Sequence, residues 1–275
     1  MMKSDKRKVL LFIPMYNCER QIGRVLGQLD GEVCKDIHEV IVVDNRSTDG
    51  SQVAARAALD KVDTIPARLL ENVGNYGLGG SHKVAFNYAR EHGFDYVVVL
   101  HGDDQGDVHD LLPLLQAREH IGADCLLGAR FMRGSRLQNY SRFRTFGNEV
   151  FNWIFSVAAG TRLYDLGSGL NLYSTEALAK TGYLKYANDL TFNYFMILGT
   201  VAAGWKIRFF PISWREDDQI SNVKLFKQAR RTLSIVASFM FRKRWFLEAD
   251  HSGKPDADYR SEVIAANIDA RVAAQ

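Results

Sequence analysis

The chain has 275 residues, 47% of them hydrophobic, and a formal net charge of +3, which is enough apolar material for one large α/β domain with a sizeable buried core. So small a positive excess gives no basis for a nucleic-acid-binding protein, where a local basic cluster matters more than the sum. Cys18, Cys34 and Cys125 are odd in number and lack metal-ligand spacing, which argues against a zinc or disulfide framework and fits free thiols in a reducing compartment. The basic run Lys3-Ser-Asp-Lys-Arg-Lys8 ahead of residues 9–13 superficially resembles a leader. Its apolar part is short, ends at Pro14 and has no small-residue cleavage site, so a first strand is expected there. No window reaches the roughly 18 apolar residues needed to span a bilayer, so the protein is expected in the cytoplasm, soluble or lying on a membrane surface.

Strand and helix patterns alternate along the chain. Residues 9–13 are an unbroken apolar run, the pattern of a strand buried on both faces. Residues 18–30 carry Ile22, Val25, Leu26 and Leu29 at helical spacing, so a helix there turns its apolar face to the sheet. Residues 40–43 form the second strand. It ends in Asp44-Asn-Arg-Ser-Thr-Asp-Gly-Ser51, where Ser47, Thr48 or Asp49 caps the following helix. Residues 68–70 are a short third strand, and Asn72-Val-Gly-Asn-Tyr-Gly-Leu-Gly-Gly-Ser-His82 leads into a helix through Arg90. Residues 94–100 are a valine-rich fourth strand that runs straight into His101-Gly-Asp-Asp-Gln-Gly-Asp107. This alternation predicts a doubly wound, mainly parallel sheet with right-handed crossovers and flanking helices.

Ligands in such sheets sit beyond the carboxyl ends of the strands. Asp103, Asp104, Gln105 and Asp107 are therefore where a hard cation and its phosphate ligands are expected, against the alternative of a solvated acidic loop that caps the next helix. The glycine-rich segment 74–80 is a poor dinucleotide fingerprint, because no acid follows at the required spacing. It reads better as a loop whose glycines allow close backbone approach to a nucleotide at a helix N-terminus. Asp44 ends a strand on the same edge as Asp103 and is either a turn residue or part of that site.

Ile13-Pro-Met-Tyr-Asn17, Val42-Val-Asp-Asn-Arg-Ser-Thr-Asp-Gly-Ser51, the glycine-rich segment from Asn72 and Gly102-Asp-Asp-Gln105 fall in the order and spacing of family 2 glycosyltransferases of GT-A fold, which the chain resembles. Leu127-Gly-Ala-Arg130, Asp165-Leu-Gly-Ser-Gly169 and Gly204-Trp-Lys-Ile-Arg-Phe-Phe-Pro211 resemble the later blocks of the polyprenyl-phosphate hexosyltransferase branch, the dolichyl-phosphate mannose synthase type. The resemblance covers roughly residues 9–224 and implies a GT-A domain over 1–221. It also implies that Pro14, Tyr16 and Asp44 hold the base and ribose of a UDP- or GDP-linked sugar, with Asp103 and its neighbour Asp104 at the donor. Asp103 matches the second acid of the D-x-D motif that binds Mg²⁺ or Mn²⁺, and Gln105 matches a glutamine near that metal. A divalent ion is the strongest stabiliser available for two phosphates on a departing nucleotide. Arg130 and Arg215 would add charge-assisted hydrogen bonds to phosphate oxygens, unless they form ion pairs within the protein.

The chain also departs from the family pattern. His101 replaces the first D-x-D acid, which leaves one carboxylate fewer, and Asn45 stands where an acid is common. Phe146 and Asn171 stand where the phosphate-acceptor branch carries basic residues. In the acceptor region, with Ser168 and Gly169, the residues Arg133, Arg136, Arg142 and Arg144 either gather an anionic acceptor or form a solvated basic loop. Asp189 precedes the helical stretch 191–203 as the general base does in relatives that glycosylate hydroxyls; the alternative is a helix cap.

Residues 222–247 hold seven Lys or Arg and no acid. Leu225, Phe226, Ala229, Leu233, Val236 and Met240 fall on one side of a helical wheel, with Lys227, Arg231, Ser234, Ser238 and Arg242 opposite, a pattern for an anionic membrane interface or for a helix packed on the domain. The polar tail 248–275, with Val263, Ile264, Ile268 and Val272, is expected as an oligomer contact or a loose arm. Together these readings predict a metal-dependent hexosyltransferase, inverting as the resemblance implies. It would act from a nucleoside diphosphate sugar onto a polyprenyl phosphate or other membrane-associated acceptor, at the inner face of the cell membrane. The alternatives are a sugar-hydroxyl acceptor with Asp189 as base, or a nucleotide-sugar-binding protein whose catalysis is impaired by His101.

Overall fold

The structure, a computed structural model, describes residues 7–217, 225–254 and 258–267. The chain opens with β1 (Val9–Met15), the short helices α1 (Ile22–Leu26) and α2 (Val33–Asp36), β2 (Glu39–Asp44), α3 (Ser51–Leu59), β3 (Ala67–Asn72), α4 (Gly77–Glu91) and β4 (Tyr96–Leu100). Then come α5 (Leu112–Gln116), β5 (Cys125–Ala129), β6 (Arg136–Gln138), α6 (Arg142–Ala159), β7 (Leu170–Ser174) and α7 (Thr175–Ala179). The last elements are α8 (Phe192–Ala202), β8 (Ile207–Pro211), β9 (Ser213–Arg215), α9 (Leu225–Phe241), α10 (Lys243–Glu248) and β10 (Ser261–Ala266).

Among the described residues one eight-stranded sheet has the order β10-β3-β2-β1-β4-β7-β5-β8, and β6 pairs with β9 in a separate ribbon. Strands β3, β2, β1 and β4 are mutually parallel, and β2, β1 and β4 carry the unalternating apolar runs of strands covered on both sides. Successive side chains point to opposite faces. Leu11, Ile13, Val42 and Val98 therefore meet Ile22, Val25 and Leu59 on one face. On the other, Phe12, Val43, Val97 and Val99 meet Val84, Phe86 and Phe192. The sheet is not parallel throughout, since β7 runs antiparallel to both β4 and β5 and β10 antiparallel to β3.

Several expectations need correcting in detail. Residues 18–30 are helical only over Ile22–Leu26, and a second short helix, Val33–Asp36, follows. The segment at 222–247 is two helices, because the backbone breaks at Arg242 (φ −138°, ψ 44°); residues 218–224 lie outside the described residues. Helix α9 packs on the domain through Thr232, Ile235, Val236 and Phe239, all buried, while Leu233 and Met240 of the expected apolar side are half exposed. The part of the tail from Ser261 to Ala266 is an edge strand of the main sheet rather than a loose arm; Ile268 and Val272 lie outside the described residues. No helix among the described residues is long and apolar enough to cross a membrane.

Candidate active site

The carboxyl ends of β1 and β4 meet where the Gly102 N–H donates to the Pro14 carbonyl at 3.1 Å. A Cβ at Gly102 would stand 2.8 Å from that oxygen, so only glycine lets the two strand ends close up. Above them opens a cleft of about 700 Å³ whose lining includes Pro14, Tyr16, Asn45, Gly77, Leu78, His101, Asp103 and Leu190. Tyr16 is 49% exposed at its rim.

Asn45 was marked by sequence only as a departure from an acid, yet it organises the cleft wall. Its Oδ1 accepts from Tyr76 N (2.8 Å) and Asn72 Nδ2 (3.1 Å), and its Nδ2 donates to Asn75 Oδ1 (2.9 Å). An acid there could not donate to Asn75. The glycines of the following turn serve protein packing as well as the cleft. Gly79 donates to Asn188 O at 2.7 Å, and a Cβ on it would lie 2.3 Å from Ala187 O.

Asp44 is placed beneath the cleft and not on its surface. It is fully buried and accepts from Ser47 N (3.1 Å), Ser47 Oγ (2.5 Å) and Gln52 Nε2 (2.7 Å). Ser47 Oγ in turn accepts from Asn17 N at 3.0 Å, so Asp44 holds the rim loop. Asp44→Ala is expected to lower unfolding free energy by about 1–3 kcal/mol, the cost of stranding buried donors, read as a lower urea midpoint. An unchanged midpoint would remove this bracing role.

The two adjacent acids after β4 face different ways. Asp103 lines the cleft and accepts from Gln105 N at 3.2 Å. Asp104 sits at φ +60° and is buried, held by Arg24 Nε at 2.5 Å and by the Arg215 guanidinium. Gln105 and Arg215 line a second depression of about 540 Å³, together with Arg24, His109 and Arg136. Asp104 and Arg215 are thus partners of one another outside the nucleotide-sized cleft, and Gln105 does not share the lining of that cleft with Asp103.

His101 lines the cleft, with its Nε2 buried and without a hydrogen-bond partner among the described residues. Burial, and then the charge of Arg130, push its pKa down to about 4, so the ring is neutral at pH 7. Among the described residues no three His, Cys, Asp or Glu side chains cluster as an all-protein metal cage. The carboxylate of Asp103 fits instead a hard ion that keeps phosphate and water ligands, the usual mode of Mg²⁺ at nucleotides.

Most of the remaining predicted residues are committed to the scaffold. Arg130 makes a bidentate pair with Asp165, Nε to Oδ2 and Nη2 to Oδ1 both at 2.8 Å, and lies over the rings of Trp214 and Phe131, so it is not presented to a phosphate. Ser168 is buried, with its Oγ donating to Leu170 O at 3.2 Å. Gly169 accepts from His101 N at 2.9 Å, and a Cβ on it would meet the His101 ring at 2.9 Å. Asn171 is buried and joins Ser168 O to Gly128 N. Arg144 pairs with Glu216 at 2.6 Å, whereas Arg142 is exposed at the start of α6.

Asp189 stands at the lip of the cleft beside Leu190. Its Oδ1 accepts from Thr191 N (2.9 Å) and Thr191 Oγ1 (2.6 Å), and its Oδ2 pairs with Arg231 at 2.6 Å. Burial raises its pKa, but the Thr191 and Arg231 contacts outweigh that and leave it below the usual value. Sequence reading missed Lys83, which is fully buried on α4 and donates to Tyr186 O (2.6 Å), Asn188 Oδ1 (2.7 Å) and Tyr259 Oη (3.1 Å). Burial pulls its pKa down to about 7. It fastens the lip that carries Asp189 to both α4 and the C-terminal segment, and nothing in its sequence position signals that.

Comparison with known proteins accords with this geometry. The family model for glycosyl transferase family 2 matches residues 11–182. The polyprenol monophosphomannose synthase of Mycolicibacterium smegmatis is 26% identical over 63% of this chain, spanning 64% of that protein's length. The dolichol-phosphate mannosyltransferase of Pyrococcus furiosus is 25% identical over 50% of this chain and 37% of its own. In fold, the glucosyl-3-phosphoglycerate synthase of Mycobacterium tuberculosis, solved with Mn²⁺, UDP and phosphoglyceric acid, superposes with a TM-score of 0.63 at 17% identity, covering 94% of this chain and 87% of that one. With its GT-A sheet and the family match over most of its length, the chain belongs to glycosyl transferase family 2.

Proposed function

We propose that this protein transfers a hexose, with inversion, from a UDP- or GDP-linked sugar to a polyprenyl phosphate at a membrane surface. The observation that carries the reading is Asp103, a carboxylate set at the carboxyl end of a central parallel strand on the lining of a cleft of nucleotide size. The named relatives that act on polyprenol and dolichol phosphates support the acceptor class. Pro14 and Tyr16 would receive the base and ribose, with Asp44 bracing the rim loop from below. Asp103 would hold Mg²⁺ or Mn²⁺ on the diphosphate, and Gln105 follows it in the same turn. The ion, when bound, supplies positive charge against the phosphates of the leaving nucleotide. Assay of labelled UDP- and GDP-hexoses with polyprenyl phosphate, with and without Mn²⁺, tests this. Product formed only with non-lipid acceptors would overturn the acceptor class.

Asp189 bears on the same question. A phosphate acceptor is already ionised and needs no base, and here both Asp189 oxygens are engaged by Thr191 and Arg231. Asp189→Asn is expected to change turnover less than about threefold, because amide oxygen can still cap the Thr191 N–H. A hydroxyl acceptor that relies on this base would lose about 10²–10⁴ in rate. A fall of that size at unchanged nucleotide affinity would reverse the assignment.

A further inference from the structure

Helix α6 turns an apolar face to the outside of the molecule. Phe143, Phe146, Val150, Trp153 and Val157 are 74, 67, 39, 68 and 57% exposed. Their alternating spacing of three and four residues aligns them along one side of the helix for roughly 21 Å. The other side is apolar as well, with Phe155 buried and Phe151 and Ile154 packed on the core. A helix that turns apolar side chains outward as well as inward has apolar surface left to cover, and folded monomers rarely leave so long a stripe in water.

The surroundings of the stripe indicate what covers it. Arg142 is exposed at the first residue of α6, and Arg144 beside it reaches Glu216, just after β9. Helix α9 packs against α6 and exposes Leu233, Met240 and Phe241; the following Arg242, Lys243 and Arg244 are exposed too, and Trp245 is 52% exposed. On the exposed face of α6 the one acid is Glu149, and Glu248 of α10 is taken up by Arg244. Aromatic and aliphatic side chains framed by arginine and lysine suit an anionic lipid headgroup layer. A second copy of the chain would instead bring a like-charged rim against itself.

We infer that the α6 stripe seats in the headgroup layer of an anionic bilayer, so that attachment runs through α6 and not through the buried face of α9. The stripe begins beside Arg142 and Arg144; that such seating would bring the cleft to a membrane-bound substrate rests on the proposed lipid acceptor. The binding itself does not.

The test is flotation of the full chain with phosphatidylcholine vesicles, with and without phosphatidylglycerol. The protein is expected to float with the anionic vesicles, and the double variant Trp153→Ser/Val157→Ser to bind them about tenfold or more weakly, since two large apolar side chains no longer leave water. Quenching of tryptophan emission by brominated lipid should fall on Trp153→Phe, which keeps the fold and most of the apolar surface. Unchanged flotation of the double variant would overturn the inference. So would a parent protein that ignores protein-free vesicles but forms a dimer the double variant abolishes, or one that binds native membranes only through an integral protein. Transfer to a short, water-soluble polyprenyl phosphate, measured on the same variants, should be unchanged. Its absence in the parent would refute the proposed function and leave the vesicle result standing.

Discussion

Asp103→Ala is expected to lower hexose transfer by about 10²–10³-fold, the range found when one preorganised group that stabilises transition-state charge is removed. Asp103 is only partly buried, on the lining of the cleft, so the urea midpoint should move less than for a buried carboxylate. The neighbouring Asp104 gives the opposite pattern. It is buried and accepts from both Arg24 and Arg215, so Asp104→Ala removes two charge-assisted contacts that tie α1 and β9 to this turn and should act mainly on stability. Transfer rates and denaturation midpoints on the two variants, side by side, separate the roles. Parental activity of Asp103→Ala would remove the donor site from this cleft.

Asp165→Ala carries the largest expected loss of stability, about 3–5 kcal/mol, as for other buried pairs broken from one side. The side chains of Arg130 and Asp165 are 12% and 2% exposed, and Asp165 also takes the Arg130 backbone N–H at 2.9 Å. Losing the carboxylate leaves a guanidinium buried between Trp214 and Phe131, with Gly167 O at 3.4 Å as a remaining acceptor. The double variant Asp165→Leu/Arg130→Met should recover most of the loss, because an apolar pair of similar volume carries no desolvation cost. A midpoint for Asp165→Ala equal to that of the parent would show the pair to be incidental.

The central strands were legible because a strand covered on both sides must be apolar without alternation, and residues 9–13, 40–43 and 96–100 have that form. The carboxylate at the end of β4 was legible for the same reason, since charge directly after such a run has to emerge at the sheet edge. Which of two adjacent acids faces the cleft was not. That depends on the left-handed backbone at Asp104, which sends it towards Arg24, whereas Asp103 stays on the cleft. Arg130 looked like a phosphate ligand because its partner Asp165 is distant in sequence, and Lys83 looked like any lysine near a helical apolar face. The helical wheel of α9 found an amphipathic helix but not the rotation at which Ile235 and Phe239 turn inward, because that is set by α6 and α8.

The position of β10 has a consequence for synthesis. Its pairing with β3 closes one outer edge of the sheet with a segment made about 190 residues after β3. At the usual pace of translation the unpaired edge of β3 stands open for roughly 10–40 s after its own synthesis, an interval in which nascent chains associate through bare strands. The charged Arg68 and Glu71 within β3 make it a poor template during that time. A chain shortened before Ser261 would carry the bare edge permanently, with Arg68 and Glu71 left to guard it even when every cleft residue is in place.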